Sequence, residues 1–344
     1  MERTHTQGGM GMRIAAVLAV LILAALLATP GGAAPAPAAS GVVTLYTSES
    51  DDDVNLITGD FMRRTPGIQV KVFRAGSGPV IARIQAEMQA GKIQADVIWF
   101  ADIAFFQDLA RKDLLASFAP PTGRRAPAPF HYDNNRYHEV RQIFNVVAFN
   151  TNHVKFRPSS WWDLTLPRYK GRAGMPSPFV SGAAFSQVGT FVAMREFGWG
   201  YYRKLQENNA VILRSNGDVI QKLASGEISV ATVVDFFVRA LKAQGSPVDH
   251  IWPSEGAVLV PTPVAIIKGA ANEAAARAFV DYLYSPEAQR LFVQRSYIPV
   301  MPGIAMPPGT PDPADLKVIQ TNLSFIEKNR EEIKKTFSDI FGVQ

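Results

Sequence analysis

The chain has 344 residues, 47% hydrophobic and 19% charged, with 26 Gly, 24 Pro and no Cys. Such a composition belongs to a folded chain of about two domains, and zero cysteine excludes disulfides, thiol catalysis, thiolate metal sites and lipoprotein anchoring. The 35 Lys and Arg against 30 Asp and Glu leave a charge of +5, interleaved, with basic pairs such as Arg63-Arg64 and Arg124-Arg125 as the longest clusters; no nucleic-acid partner is expected.

Arg3 and Arg13 precede the apolar run Ile14 to Ala28, and small residues follow, including Ala34-Pro35-Ala36-Pro37-Ala38-Ala39. A positive start, an apolar stretch of about fifteen residues and an Ala-x-Ala-like end read as an export signal over 1–39, cleaved near Ala39. Spanning a bilayer takes about 20 apolar residues, so the segment is read as removed, leaving the mature chain in the periplasm.

From Val42 short β-rich runs alternate with amphipathic helices. Val42–Thr47 is predicted as a strand, and Ser48 or Ser50 caps the next helix, whose first turn carries Asp51, Asp52 and Asp53. Carboxylates are favoured there by the helix dipole. Pro66-Gly67 stops that helix; a strand at 68–73, the loop Gly76-Ser77-Gly78, a helix ending at Gly91, a strand at 95–100 and a helix from Asp102 follow. Prolines 120, 121, 127 and 129 mark a surface crossing, and Val140–Phe149 reads as one long strand into a second unit. That unit takes helices near 159–166, 183–197, 199–208 and 216–225, with strands near 172–175, 210–213 and 228–234. A second extended run, 257–267, leads back to helices at 271–284 and 286–295, and one or two more helices fill 315–341.

Strands alternating with helices imply an α/β fold of parallel sheets covered on both faces. Two extended crossings separated by a whole unit imply two lobes on a hinge with a cleft between them. The lobes are assigned as 40–140 with 264–310, and 141–263 with 311–344.

In open α/β sheets ligands bind beyond the carboxyl ends of the strands, where helix N-termini present N–H groups. In the first lobe those positions hold Ser48, Gly76, Ser77 and Asp102. In the second they hold Ser181, Gly182, Ala183, Asn216, Asp235 and Phe236. Each Ser, Asn or Gly is also an ordinary helix cap; their recurrence at corresponding strand ends is what points to an anion site. Asp102 and Asp235 either cap helices or receive a cationic group of the ligand. There is no G-x-S-x-G elbow and no P-loop, and His5, His131, His138, His153 and His250 have no metal-ligand spacing. No catalytic residue, metal or cofactor is therefore assigned.

The segments Val43 to Ser48, Ala75-Gly76-Ser77-Gly78, Ala95-Asp96-Val97-Ile98-Trp99 and Leu114-Leu115 resemble the first lobe of ferric-type solute-binding proteins of ABC importers. Trp161-Trp162-Asp163-Leu164, Tyr169-Lys170-Gly171-Arg172, Ser181-Gly182-Ala183, Ser215-Asn216, Ser285-Pro286-Glu287-Ala288-Gln289 and Tyr297-Ile298-Pro299-Val300 extend the likeness over nearly all of 42–341. The resemblance implies the two-lobed type 2 periplasmic binding fold with two crossing hinge strands. It also implies a monomer without enzymatic activity, delivering a small solute to an ABC permease at the inner membrane. Iron-binding relatives place two adjacent tyrosines where this chain has Phe236-Phe237, and a histidine and an acid where it has Ser50 and Ala101, so the metal half of the pattern is broken. The anion half, Ser181-Gly182-Ala183 and Asn216, stands where relatives hold phosphate. Asp102, in place of a neutral amide, suits a zwitterion such as an aminophosphonate, or else requires a bridging proton beside the oxyanion. The expected ligand is a small oxyanion-bearing solute, a phosphonate, phosphate ester or similar. The alternatives are a ferric or thiamine-type carrier of the same family and a secreted α/β hydrolase or transferase.

Overall fold

The computed structural model describes residues 1–2 and 39–343, so the expected leader lies, apart from its ends, outside the described residues. No described helix is long and apolar enough to cross a membrane.

Strand β1 (Gly41–Thr47) shows why the first sheet is covered on both faces: Val43 and Leu45 enter one hydrophobic cluster and Tyr46 enters another. Helix α1 (Asp51–Arg64) begins where Ser50 Oγ accepts the Asp53 N–H at 3.3 Å, and it buries Val54, Ile57 and Phe61. Strand β2 (Ile68–Arg74) runs parallel to β1, and α2 (Ser77–Gln89) leads to the short β3 (Val97–Trp99), also parallel to β1. Asp102 caps α3 (Ile103–Arg111), accepting the Phe105 N–H at 3.1 Å. A hairpin the sequence pattern did not announce, β4 (His131–Tyr132) with β5 (Tyr137–His138), closes the edge.

The first crossing is not one strand. It divides at Ile143 into β6 (Arg141–Gln142) and β7 (Phe144–Asn150). The second sheet then builds from β7, β8 (Ala173–Pro176), β9 (Val211–Leu213), β10 (Val230–Val234), β11 (Val248–Ile251) and β12 (Val258–Leu259). Its helices are α4 (Gly182–Val192), α5 (Gly198–Glu207), α6 (Asn216–Ser225) and α7 (Asp235–Ala243). The helix expected at 159–166 is instead two 3-10 turns, Trp161–Thr165 and Pro167–Tyr169, because Pro167 has no N–H to continue a ladder. The helix expected to reach 197 ends at Val192.

The return run 257–267 is broken as well. Between β12 and β13 (Val264–Ile266) lies Val260-Pro261-Thr262-Pro263, where two prolines remove ladder donors. Helices α8 (Glu273–Tyr282) and α9 (Pro286–Gln294) follow, then β14 (Ile298–Pro299), which pairs with β6 alone. The first sheet is ordered β2-β1-β3-β13-β5-β4 and the second β11-β7-β10-β8-β9, with β12 on β7. Both are mixed rather than parallel: β7 and β13, which arrive through the crossings, run antiparallel to their neighbours. At the C-terminus α10 (Leu323–Lys328) precedes α11 (Arg330–Phe341), which buries Ile333 and Phe337 in the core of the second sheet.

Glu139 ties the two crossings together, its Oε1 accepting the Thr262 N–H at 2.8 Å and the Thr262 hydroxyl at 3.0 Å. Complete burial pushes this carboxyl up to about 8; the Thr262 bonds and Arg141 pull it down and Glu49 adds to the rise. Its folded value lies above the unfolded one of about 4.3, so the native state holds the extra proton. The corresponding stability is fully present in acid and is lost as pH rises towards 8. A Glu139→Gln variant imitates the protonated group and keeps the bonds to Thr262. Urea unfolding should find it within about 1 kcal/mol of the wild type at pH 5 and more stable by roughly 5 kcal/mol at pH 8.5; equal pH slopes for the two proteins would contradict this.

Candidate ligand-binding cleft

The N-terminal ends of α1, α2, α4, α6 and α7 converge on a cavity of about 350 Å³ between the two sheets. This follows from the topology, since each of these helices starts at the carboxyl end of a strand. On the second-lobe wall Ser181 is the N-cap of α4: its Oγ accepts the Ala184 N–H at 3.2 Å and Asn216 Nδ2–H at 2.9 Å. Asn216 opens α6 behind the Ser215–Asp218 capping box, and its Oδ1 is buried with no partner. On the opposite wall Ser77 Oγ donates to Ser48 Oγ at 3.1 Å. Two helix ends are thus joined through their side chains at the cleft, an arrangement of the kind that receives anions.

The charged lining is mixed. Arg141 and Glu49 form a buried ion pair, and Arg74 Nε donates to the Glu49 carbonyl at 2.8 Å. Burial pushes the Glu49 carboxyl up, with the Arg141 guanidinium pulling it back. Asp51 and Asp52 stand exposed at the rim, Asp51 3.9 Å from Arg74. Phe236 stacks on Phe237 at 4.3 Å and on Tyr297 at 4.1 Å, giving the cleft an apolar wall. The Tyr297 hydroxyl donates to Asp53 at 2.7 Å, and burial pushes it well above its ordinary value.

Ser48, Gly76, Ser77, Ser181, Gly182, Ala183, Asn216 and Phe236 all line this cavity, whereas Asp102 and Asp235 do not. Each of these two carboxylates has its own cation. Asp102, besides capping α3, takes both outer nitrogens of Arg330 at 2.6 Å. Beside it Arg111 Nη1 bonds Glu327 at 3.0 Å. Asp235 is fully buried, accepts the Phe144 N–H at 2.9 Å and pairs with Arg239 at 2.7 Å. The expectation that either meets the ligand is corrected accordingly.

The glycines also have a role beyond the one expected. A Cβ at Gly182 would lie 1.6 Å from the Ala101 carbonyl oxygen, and one at Gly78 would lie 2.0 Å from that of Phe179. These positions are bare so that one lobe can touch the other. Sequence reasoning missed Glu49, Arg74, Arg141 and Thr262 as cleft residues. The available signal was Arg141 itself, a lone cation in the apolar stretch Val140–Phe149. Among the described residues no group of three or more His, Asp or Glu is placed to hold a metal ion.

A putative 2-aminoethylphosphonate-binding periplasmic protein of Salmonella typhimurium is 27% identical to this chain over 285 residues, covering 79% of it and 80% of the relative. The solved structure of the periplasmic binding protein AfuA from Actinobacillus pleuropneumoniae, with fructose-6-phosphate bound, matches with a TM-score of 0.79 at 23% identity, over 89% of this chain and 100% of that one. Iron-bound HitA from Pseudomonas aeruginosa matches with a TM-score of 0.75 at 21% identity, over 86% and 99%. These likenesses give the fold, the two-lobed type 2 periplasmic binding architecture. The model of the bacterial extracellular solute-binding protein family matches residues 93–329, well over half of the sequence, and the chain belongs to that family.

Proposed function

We propose that this protein is the periplasmic receptor of an ABC importer for a small organic oxyanion that also carries a cationic end, an aminophosphonate being the type. The carrying observation is the Ser181–Asn216 pair at two helix N-termini, 2.9 Å apart, across a cleft whose other wall bears Glu49, Asp51 and Asp52. The helix ends hold the oxyanion, and the first-lobe carboxylates take the ammonium role that the sequence had given to Asp102. A bare dianion would meet three carboxylates against only two arginines in the lining. The name of the Salmonella relative supports the same ligand class. The chain acts as a binder rather than an enzyme in this reading: no histidine lines the cleft, Ser77 bonds Ser48, Ser181 accepts from the Asn216 amide, and the hydroxyls of Ser50, Ser215, Thr262 and Tyr297 are held by carboxylates. It is exported, cleaved near Ala39, and works as a monomer that hands its solute to a membrane permease.

The wild type purified from periplasm, starting at Ala39 or Ser40, is the material for the test. Calorimetry should show 2-aminoethylphosphonate binding at least about tenfold more tightly than ethylphosphonate, the ammonium being the difference. Ferric citrate should leave the solution colourless. Phe236 and Phe237 offer no oxygen to a hard cation, Tyr297 is committed to Asp53, and Ser50 and Ala101 add little. Failure to bind any phosphonate or phosphate ester, or a coloured ferric complex, would overturn the proposal.

A further inference from the structure

Arg141 sits on β6, in the crossing between the lobes, and is 1% exposed. Its guanidinium carbon lies 3.9 Å from the centre of the Tyr297 ring, 5.2 Å from that of Trp99 and 5.8 Å from that of Phe292. Packing against these rings fixes the plane of the group and removes it from bulk water. Nη2 bonds the Glu49 carboxylate, but Nε and Nη1 have no hydrogen-bond partner in the protein. Arginine stays charged in any protein environment, and a buried charge-bearing donor left unmatched destabilises the fold that holds it. The side chain nevertheless borders the cleft. A purely structural ion pair would engage the carboxylate through the guanidinium fork; here one nitrogen is used and the others are withheld.

We infer that Arg141 is the cation that receives the ligand's oxyanion, a binding residue at the base of the cleft that acts with the Ser181 and Asn216 helix ends. This rests on the oxyanion reading above and adds the charge that reading lacks, because helix ends alone supply only partial charge. Glu49 holds the guanidinium in place and competes for it. The two groups therefore act with opposite signs on a ligand that has no ammonium: Arg141 attracts it and Glu49 opposes it. A simple structural pair would have both residues acting in the same direction.

The test titrates 2-aminoethylphosphonate and ethylphosphonate into the wild type, Glu49→Gln, Arg141→Lys and the double variant Arg141→Met with Glu49→Gln. The double variant removes both charges together, so no orphaned buried carboxylate remains. It is expected to keep the wild-type circular dichroism and to lose about 100-fold in affinity for both phosphonates. Arg141→Lys, which keeps the charge without the planar fork, should lose about tenfold. Glu49→Gln alone should bind ethylphosphonate about fivefold more tightly than the wild type. Wild-type affinity in the folded double variant, or weaker ethylphosphonate binding in Glu49→Gln, would show the pair to be structural and overturn the inference while leaving the oxyanion reading standing. A wild type that takes neither phosphonate overturns that reading and this inference with it.

Discussion

A Ser181→Asp variant is expected to fold as the wild type does and to bind no phosphonate. Aspartate is as good an N-cap as serine, and its carboxylate can accept from the same two donors, the Ala184 N–H and the Asn216 amide. The fold therefore loses nothing at this position. The ligand loses everything the position offered, because a fixed negative charge now occupies the helix end and repels the incoming oxyanion. Forfeiting two charge-assisted hydrogen bonds of about 1.5–3 kcal/mol each lowers affinity by roughly 10² to 10⁴ before repulsion is counted. Calorimetry with 2-aminoethylphosphonate reads the result directly, and unchanged affinity would remove Ser181 from the site.

Gly182→Ala should be as damaging by a different route. The added methyl group would stand 1.6 Å from the Ala101 carbonyl oxygen and 2.7 Å from Ser77 Oγ, both on the opposing lobe. A backbone carbonyl cannot step aside as a flexible side chain would, so the lobes must part. Alanine is otherwise welcome in the first turn of a helix, and with the lobes apart nothing crowds it. The expected variant is thus fully stable, keeps every polar group of the cleft, and binds at least about 100-fold more weakly. Small-angle scattering should show that saturating ligand fails to reduce its radius of gyration, in contrast to the wild type. Normal compaction and normal affinity would mean that this contact does not govern closure.

What the sequence made legible was mostly local. The starts of α1, α3, α4, α6 and α9 were readable because Ser50, Asp102, Ser181, Ser215 and Ser285 cap them with their own side chains. The cleft loops were readable for a related reason, since in this architecture strand ends and helix starts are where ligands go. What stayed hidden was set at a distance. The break in the first crossing goes with β6 choosing β14 as its partner, a pairing that no short-range pattern encodes. Asp102 was misjudged because the arginine that claims it is 228 residues further along the chain. The Arg141–Glu49 pair spans 92 residues and was missed on both sides. Asp235 is the instructive exception: Arg239 is one helical turn away, so its partner was visible in the sequence.

The clasp of Asp102 by Arg330, with Arg111 and Glu327 beside it, joins the lobes without bordering the cavity. Whatever solute lies inside, these ion pairs favour the closed arrangement to the same extent. Observed affinity is the intrinsic affinity scaled by the population of the competent conformer, so the clasp multiplies every affinity by one common factor. It prolongs retention and contributes nothing to discrimination, which must come entirely from the groups that touch the solute. Changes at Arg330 or Glu327 would therefore adjust how long cargo is carried before hand-over, independently of which cargo is chosen.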